Sequence, residues 1–579
     1  MKIFLVPHTH WDREWYLPFN EYRLYLIRVL DRVVDGLENG LIDYFLLDGQ
    51  VAAILDYLEL RPQMKEKVKR LIADGKLDVG PWFTQPDEFL VSGEALIRNL
   101  IIGMSIAQKL GRCFSIGYLP DIFGHTPQLP QILLGLGIDT FLFSRGMDDE
   151  MPCEFVWEAP DGSKVISYFM KLGYCNGYFL GVERPYWKFL RVFKDPYSRV
   201  TAYYTYYEEE PEPDLDKAVK RIREIIEKMR ECKKTQLYLI MNGCDHLPAQ
   251  LKLKKLLEKI EEKIGAKIVV GKLNEFFDDI KKISNDLPIY KGEMRKCKYR
   301  PILADVLSTR IYLKQLNFKA QKLLEKYLEP LSVIVSKLGY EYPGTLIRNL
   351  WMKLLLNHAH DSICGTSVDE VHRENVARFQ EVISAASNMF LQELYYLGNL
   401  TNEDGSKVIV FNPNNWDVTG LVEILILAHE EVGSVIGPDG SNIPVISREI
   451  NDFIGDVKKI VFIAKDVPSI GYKVYRLSES KHSIREGIKI KGSEVETKFF
   501  RATIDINCGG ALTLIDKRNG RKYEKLKETS SKFTDKVLER FERELRNAGK
   551  IVMELYMLRE KKIMNLAWAE VATEEEVDK

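Results

Sequence analysis

Short apolar runs separated by longer amphipathic stretches fill the first half of the chain. KIFLVPH, YFLLDG, KLDVG, FSIGYLPD, TFLFSRG and LYLIMNG each cover a few residues, and between them lie Lys/Glu-rich stretches such as ALIRNLIIGMSIAQKLG with apolar positions at helical spacing. The alternation predicts strand–helix units around a parallel sheet over residues 1–285. From about Pro301 to Leu400 helical periodicity takes over, as in TLIRNLWMKLLLNHAHDSI, and predicts a helical bundle over 286–400. Beyond Val408 the runs shorten and alternate again, as in VIVFNPNNWDVTGLVEILIL and GYKVYRL, which predicts β-structure over 401–524. From Lys525 the composition turns charged and rich in helix formers, predicting a helical tail over 525–579.

At 579 residues the chain exceeds what one hydrophobic core supports, in keeping with several domains. Its 83 Lys+Arg balance 84 Asp+Glu, so no global field draws in nucleic acid or an anionic membrane. The apolar runs are broken by charge well before the ~20 residues that span a bilayer, so a soluble protein is expected. Eight cysteines without a CxxC pair suggest reduced thiols rather than a disulfide frame, and hence a cytoplasmic protein. The opening MKIFLVPHTHWD reads as a first strand rather than a signal peptide.

Polar residues fall where the apolar runs end. His8, His10, Asp48, Asp121, Arg145 and Asp245 each follow such a run, at the carboxyl ends of predicted strands, where active sites of α/β folds collect. In His8-Thr9-His10-Trp11-Asp12 alternate residues of an extended segment share a direction. His10 and Asp12 can therefore aim an imidazole and a carboxylate at one metal ion, or serve as hydrogen-bonded polar groups at a strand end. Asp121, between Pro120 and the Gly124 turn, suits a fixed pocket-facing carboxylate or a helix N-cap. Asp245 in MNGCDH suits a general acid with a raised pKa, or an ordinary turn aspartate. His358 and His360 lie two apart at the end of an apolar helix and cannot face the same way. At most one is a ligand, and a helix-end histidine also serves as a cap or dipole partner.

In order, HTHWDREW, GPWFTQPDE, GYLPDIFGH, FLFSRG, NGCDH, LSTRIYLKQLN and NHAHDSICGTSVDEVH resemble the α-mannosidases of glycoside hydrolase family 38 in their prokaryotic form, from residue 1 to about 523. The resemblance implies a multidomain fold: a seven-stranded (β/α) barrel, a helical bundle and β-sandwich domains. It implies a retaining α-mannosidase that works by metal-assisted double displacement through a mannosyl-enzyme intermediate. His10, Asp12, Asp121 and His360 match the ligands of one divalent cation, usually zinc. Asp121 also matches the nucleophile, Asp245 the acid/base and Arg145 the residue that orients the nucleophile. Trp15 matches the aromatic beneath the bound sugar, Asp361 follows the metal histidine, and Trp82 and His246 belong to pocket motifs, as do His8, Asp87 and Glu88. The implied partner is an α-mannoside carbohydrate, with no nucleic acid and no membrane, and with homo-oligomers left open.

Family members continue past CGGALTLIDKRNGRKY with further sandwich strands, whereas here the composition turns helical, so an incomplete sandwich is expected. Two rival readings stand beside the hydrolase. A metal-dependent carbohydrate deacetylase would need neither Asp245 nor a ligand from the helical region. A catalytically inactive carbohydrate-binding or assembly protein would need no turnover at all.

Overall fold

The computed structural model of the chain describes residues 1–182, 187–194, 201–207, 210–401, 406–452, 455–480, 489–505, 511–523 and 564–568. The chain divides into two compact units, Met1–Glu325 with Gly344–Ala386, and Lys326–Pro343 with Ser387–Lys579. Its several sheets, the helices between them and its two compact units make it a multidomain α/β protein. No described helix is long and apolar enough to cross a membrane.

In the first unit the run KIFLVPHT becomes β1 (Lys2–Thr9), buried along almost its whole length. An apolar run on both faces of a strand can be satisfied only in the middle of a covered sheet. The strands that follow are β2 (Phe45–Leu47), β3 (Leu77–Asp78), β4 (Gly117–Leu119), β5 (Thr140–Phe143), β6 (Glu154–Glu158), β7 (Lys164–Phe169), the hairpin β8 (Trp187–Lys194) and β9 (Thr201–Tyr207), then β10 (Leu237–Asn242), β11 (Lys267–Val270) and β12 (Ile289–Lys291). β1 runs parallel to β10, β11 and β2, and β2 runs parallel to β3. β5 runs parallel to both β4 and β7, while β6 joins β7 antiparallel and β12 joins β6. Two five-stranded sheets result, and among the described residues no ladder joins β3 to β4.

Helices cover these strands because their apolar stripes require it. Leu215–Met229 turns Ala218, Val219, Ile222, Ile225, Ile226 and Met229 inward, and its first turn is capped by Asp214, which accepts from Lys217 N at 2.9 Å. That stripe joins Ile3, Phe4, Leu5 and Phe276 in one cluster, while Phe141, Phe143, Phe155 and Trp157 build a second with Leu96 and Leu100. The helices Gly344–Asn357 and His360–Cys364 belong to the same unit as the strands. Buried Glu14 fastens the second of these and the helix Asp369–Asn399 to the strands: its Oε1 accepts from Ser362 Oγ at 2.7 Å, from Asn375 Nδ2 at 2.8 Å and from the Arg378 guanidinium.

The second unit contains β13 (Lys407–Asn412), β14 (Val418–Leu427), β15 (Ser434–Ile436), β16 (Asn442–Pro444), β17 (Ile446–Asp452), β18 (Gly455–Val467) and β19 (Gly471–Ser478). One sheet carries β16, β15, β19 and β13 and another β14, β18 and β17. Val408, Val410, Val422, Ile424, Phe462 and Tyr475, drawn from both, form one core. A further sheet follows from β20 (Lys489–Lys491), β21 (Glu494–Glu496), β22 (Phe500–Asp505), β23 (Ala511–Asp516) and β24 (Lys522–Tyr523). The helical tail expected from Lys525 lies outside the described residues apart from one piece, and that piece corrects the expectation. Met564–Trp568 is a strand, β25, paired parallel to β13 from Lys407 to Phe411. An open ladder edge on β13 rewards an extended backbone, whatever the local preference of the sequence.

Candidate active site

β1, β2, β4, β5 and β10 each deliver a polar residue just past their ends, and these residues converge. His10 follows β1, and the short helix His360–Cys364 brings His360 to it, with ring centroids 5.4 Å apart. Asp12 Oδ1 lies 3.2 Å from His10 Nε2 and 3.5 Å from His360 Nε2, and Asp121 Oδ2 lies 3.6 Å from His360 Nε2. Both Nε2 atoms are buried and have no well-directed hydrogen-bond partner. Burial alone would lower the pKa of either imidazole. The Asp48 and Asp12 carboxylates nonetheless push His10 well up, and Asp361 and Asp121 push His360 up to about 9. Two unpartnered imidazole nitrogens facing carboxylates form a pocket that asks for positive charge, and His10, Asp12 and His360 offer ligand atoms within 4.8 Å of one another. The donor set fits a divalent cation.

Asp48, at the end of β2, fixes the ring of His10. Its Oδ1 takes the Nδ1 hydrogen bond at 3.0 Å, while its Oδ2 accepts from Trp11 N at 2.9 Å and Gln50 Nε2 at 2.8 Å. A carboxylate on the far nitrogen sets the tautomer that leaves Nε2 free for a metal.

Asp121 follows β4, and Arg145 follows β5. Arg145 donates to Asp121 Oδ1 through Nε at 2.9 Å and also through Nη2, and to the Pro301 carbonyl through Nη1 at 2.6 Å. Burial would raise the Asp121 pKa, but the neighbouring His360 imidazole and the Arg145 charge hold the carboxyl well below the usual range. Asp245, after β10, is pushed the other way, by burial and then by the neighbouring charges of Asp121 and Asp12, against the pull of His10. Between them stands Tyr174, whose Oη is 2.8 Å from Asp121 Oδ1 and 2.9 Å from Asp245 Oδ1.

The other residues singled out from the sequence take varied places. Trp15 is partly exposed, its ring 6.3 Å from that of His246. His246 packs on Trp11 and Tyr22 with Nε2 3.3 Å from Asp12 N, backing a candidate ligand rather than joining the cluster. Asp361 Oδ2 lies 3.7 Å from His360 Nε2, and its Oδ1 accepts from Thr366 Oγ1. Trp82 is 0% exposed and belongs to the apolar cluster under β5, so it has no surface to offer a sugar, which corrects its expected role in substrate binding. His8 donates to the Tyr174 carbonyl at 2.7 Å and is held neutral by burial, its pKa lowered to about 4. His358 turns to Asn317 Oδ1 at 2.7 Å, away from the cluster that His360 joins. Asp87 caps the turn at Phe89 and Leu90, and Glu88 binds His125 Nδ1 at 2.6 Å.

The expectation of reduced thiols throughout is also corrected: Cys175 and Cys244 form a disulfide. The bridge joins the residue after Tyr174 to the residue before Asp245. Two cysteines 69 residues apart carry no spacing signal, and only the approach of the segments after β7 and β10 pairs them.

Residues 1–293 match the glycosyl hydrolases family 38 N-terminal domain, and residues 302–397 the alpha mannosidase middle domain. The chain belongs to glycosyl hydrolase family 38. Within the family it is 34% identical over 417 residues to a putative mannosylglycerate hydrolase of Halalkalibacterium halodurans, an alignment that covers 67% of this chain and 42% of that protein. Human alpha-mannosidase 2C1 is 23% identical over 396 residues, covering 67% of this chain and 34% of the human protein. The crystal structure of an alpha-mannosidase from Enterococcus faecalis V583 superposes with a TM-score of 0.75 at 27% identity, over 91% of this chain and 61% of that one. The chain thus spans about a third to two fifths of the length of these curated relatives. Sequence reasoning gave no role to Tyr174 or to Glu14. Tyr174 closes the stretch KVISYFMKLGY, past the end of β7 at Phe169, so only a strand-end rule extended through the following turn could have found it. Glu14 lay within HTHWDREW without a partner in view.

Proposed function

We propose that this family 38 chain is a metal-dependent retaining α-mannosidase. The observation that carries the reading is the meeting of the His10, Asp12 and His360 cluster, which Asp121 adjoins 3.6 Å from His360 Nε2, with a second carboxyl, Asp245, tied to Asp121 through one phenol oxygen. His10, Asp12, Asp121 and His360 would hold the cation, and two imidazoles with two carboxylates suit zinc. When bound, the cation would supply Lewis-acid stabilisation to hydroxyls of a mannose ring.

The chain's own residues supply the rest. Arg145 keeps Asp121 ionised and aimed, ready to attack the anomeric carbon and form the mannosyl-enzyme. Tyr174 owns a single proton, so its two contacts are satisfied when Asp121 is ionised and Asp245 is protonated. Asp245 then gives its proton to the leaving oxygen and takes one back from water in the second step. Two carboxyl oxygens that share one phenol oxygen lie within two hydrogen-bond lengths of each other. That separation suits the roughly 5 Å of retaining enzymes and falls short of the roughly 6.5–9.5 Å of inverting ones. On the same reading Trp15 and Asp361 line the sugar. The two five-stranded sheets supply the strands of the seven-stranded barrel, residues 286–400 are the helical bundle, and the sheets of 401–524 the sandwich. The name of the H. halodurans relative adds mannosylglycerate, a mannose joined to a short carboxylic acid, to the candidate substrates.

The test is release of p-nitrophenol from p-nitrophenyl α-mannoside by zinc-loaded protein, with the anomer of the first-formed mannose followed by NMR. α-Mannose is expected first. A folded, fully metallated protein that releases nothing refutes the reading, and β-mannose appearing first refutes the double displacement.

A further inference from the structure

Beside the site lies a cation whose charge no described carboxylate answers. Arg145 pairs with Asp121, and Lys171 and Lys298 both pair with Asp149. No described carboxylate pairs with Arg300, whose Nη2 donates to the Leu172 carbonyl at 3.1 Å while its buried Nε has no partner. An arginine left with an unsatisfied N–H is costly unless an acceptor arrives. The segment is held against the site at two points: the Pro301 carbonyl accepts from Arg145, and the Arg300 guanidinium lies 5.9 Å from the centre of the Tyr174 ring. Room for it is made by Gly173, at φ +77°, because a Cβ there would fall 1.7 Å from Arg300 Nη2. A side chain at 173 would displace the guanidinium.

The position of Arg300 has a chemical meaning once Asp245 acts as the acid. The leaving oxygen must lie by Asp245, so the leaving group extends on the side of Tyr174, where Arg300 stands. We infer that Arg300 is a specificity-determining residue that receives a carboxylate on the leaving group, so that the substrates are α-mannosides of small carboxylic acids. A guanidinium offers a planar fork that matches a carboxylate, which a neutral sugar does not. The inference rests on the mannosidase reading above.

The test compares the α-mannosides of glycerate and of glycerol, which differ only in carboxylate against hydroxymethyl, on zinc-loaded wild type, Arg300→Gln and Arg300→Lys, with p-nitrophenyl α-mannoside alongside. The wild type should prefer the glycerate compound. Arg300→Gln should lower that preference about ten- to hundredfold, as expected for loss of a charge-assisted hydrogen bond, with the change in KM rather than kcat. Arg300→Lys should recover part of it by charge alone. A wild type that cleaves the aryl mannoside without preferring glycerate overturns the inference and leaves the mannosidase reading standing, whereas cleavage of none of the three refutes that reading and the inference with it. A loss in Arg300→Gln that is equal for glycerate and glycerol also overturns it, as does a glycerol phosphate mannoside cleaved better than the glycerate compound.

Discussion

Asp121 and Asp245 carry the same side chain, and their surroundings separate them. Arg145 and His360 hold one carboxyl down, while burial and like charge hold the other up. Replacing Asp245 by alanine should lower hydrolysis of an unactivated mannobiose by about 10²–10⁴-fold, yet spare much of the activity on an activated aryl mannoside, which needs little protonation. Asp121→Ala should lose both. Steady-state kinetics on the two substrates checks this, and equal losses for Asp245→Ala would count against its role as acid. The pH dependence follows in sign: turnover requires protonated Asp245, so activity should fall as pH rises through its raised pKa. Glu14 makes a prediction about stability instead. It is 2% exposed, and although burial would raise its pKa, Arg378 and Arg13 bring the net value below the usual one. Glu14→Ala strands the Arg378 charge and should cost about 3–5 kcal/mol in urea unfolding. A lowered folded-state pKa means that this stability is present above the unfolded value of about 4.3 and is lost as pH falls through the folded one. Glu14→Gln should therefore flatten the acid limb of the stability profile.

At the scale of elements, the segments between strands decide the chemistry while the strands hold them still. The stretch after β7 carries Tyr174 and Cys175 and the stretch after β10 carries Cys244 and Asp245, so one disulfide ties the proposed proton donor to the phenol that touches it. In the second unit β13 sits between β19 and β25. Deleting residues 564–579 should leave β13 as an open edge, so light scattering should report association while zinc per chain and specific activity of the remaining monomer stay unchanged. A deletion variant that stays monodisperse would show that β25 covers nothing of consequence.

For the whole molecule, the proposed cation site is a product of tertiary closure. His10 follows the first strand and His360 the helix Gly344–Asn357, yet both lie in one compact unit. A bound cation favours the folded state alone, so chelation should abolish turnover and lower Tm. Zinc at about a hundred times its Kd should restore about 2.7 kcal/mol. Differential scanning calorimetry with elemental analysis reads both, and full activity in metal-free protein would overturn the metal requirement.

Much of this could be read along the chain because it depends on local order. A polar residue directly after an apolar strand must emerge at the strand's carboxyl end, and that rule alone picks out His10, Asp48, Asp121, Arg145 and Asp245 in this family 38 chain. The ordered motifs name the family. What local order cannot contain is the meeting of distant segments. The bridging of Asp121 and Asp245 by Tyr174, the Cys175–Cys244 bond, the fastening of Glu14 to Arg378 and the isolation of Arg300 each depend on which loops come together. Trp82 shows the limit from the other side: its motif suggested a pocket, but the packing of Leu96, Leu100 and Phe141 around it decided that it is core. Met564–Trp568 shows the same limit for secondary structure. Its neighbours favour helix by composition, yet the open edge of β13 makes it a strand, because ladder hydrogen bonds outweigh the small differences in intrinsic propensity.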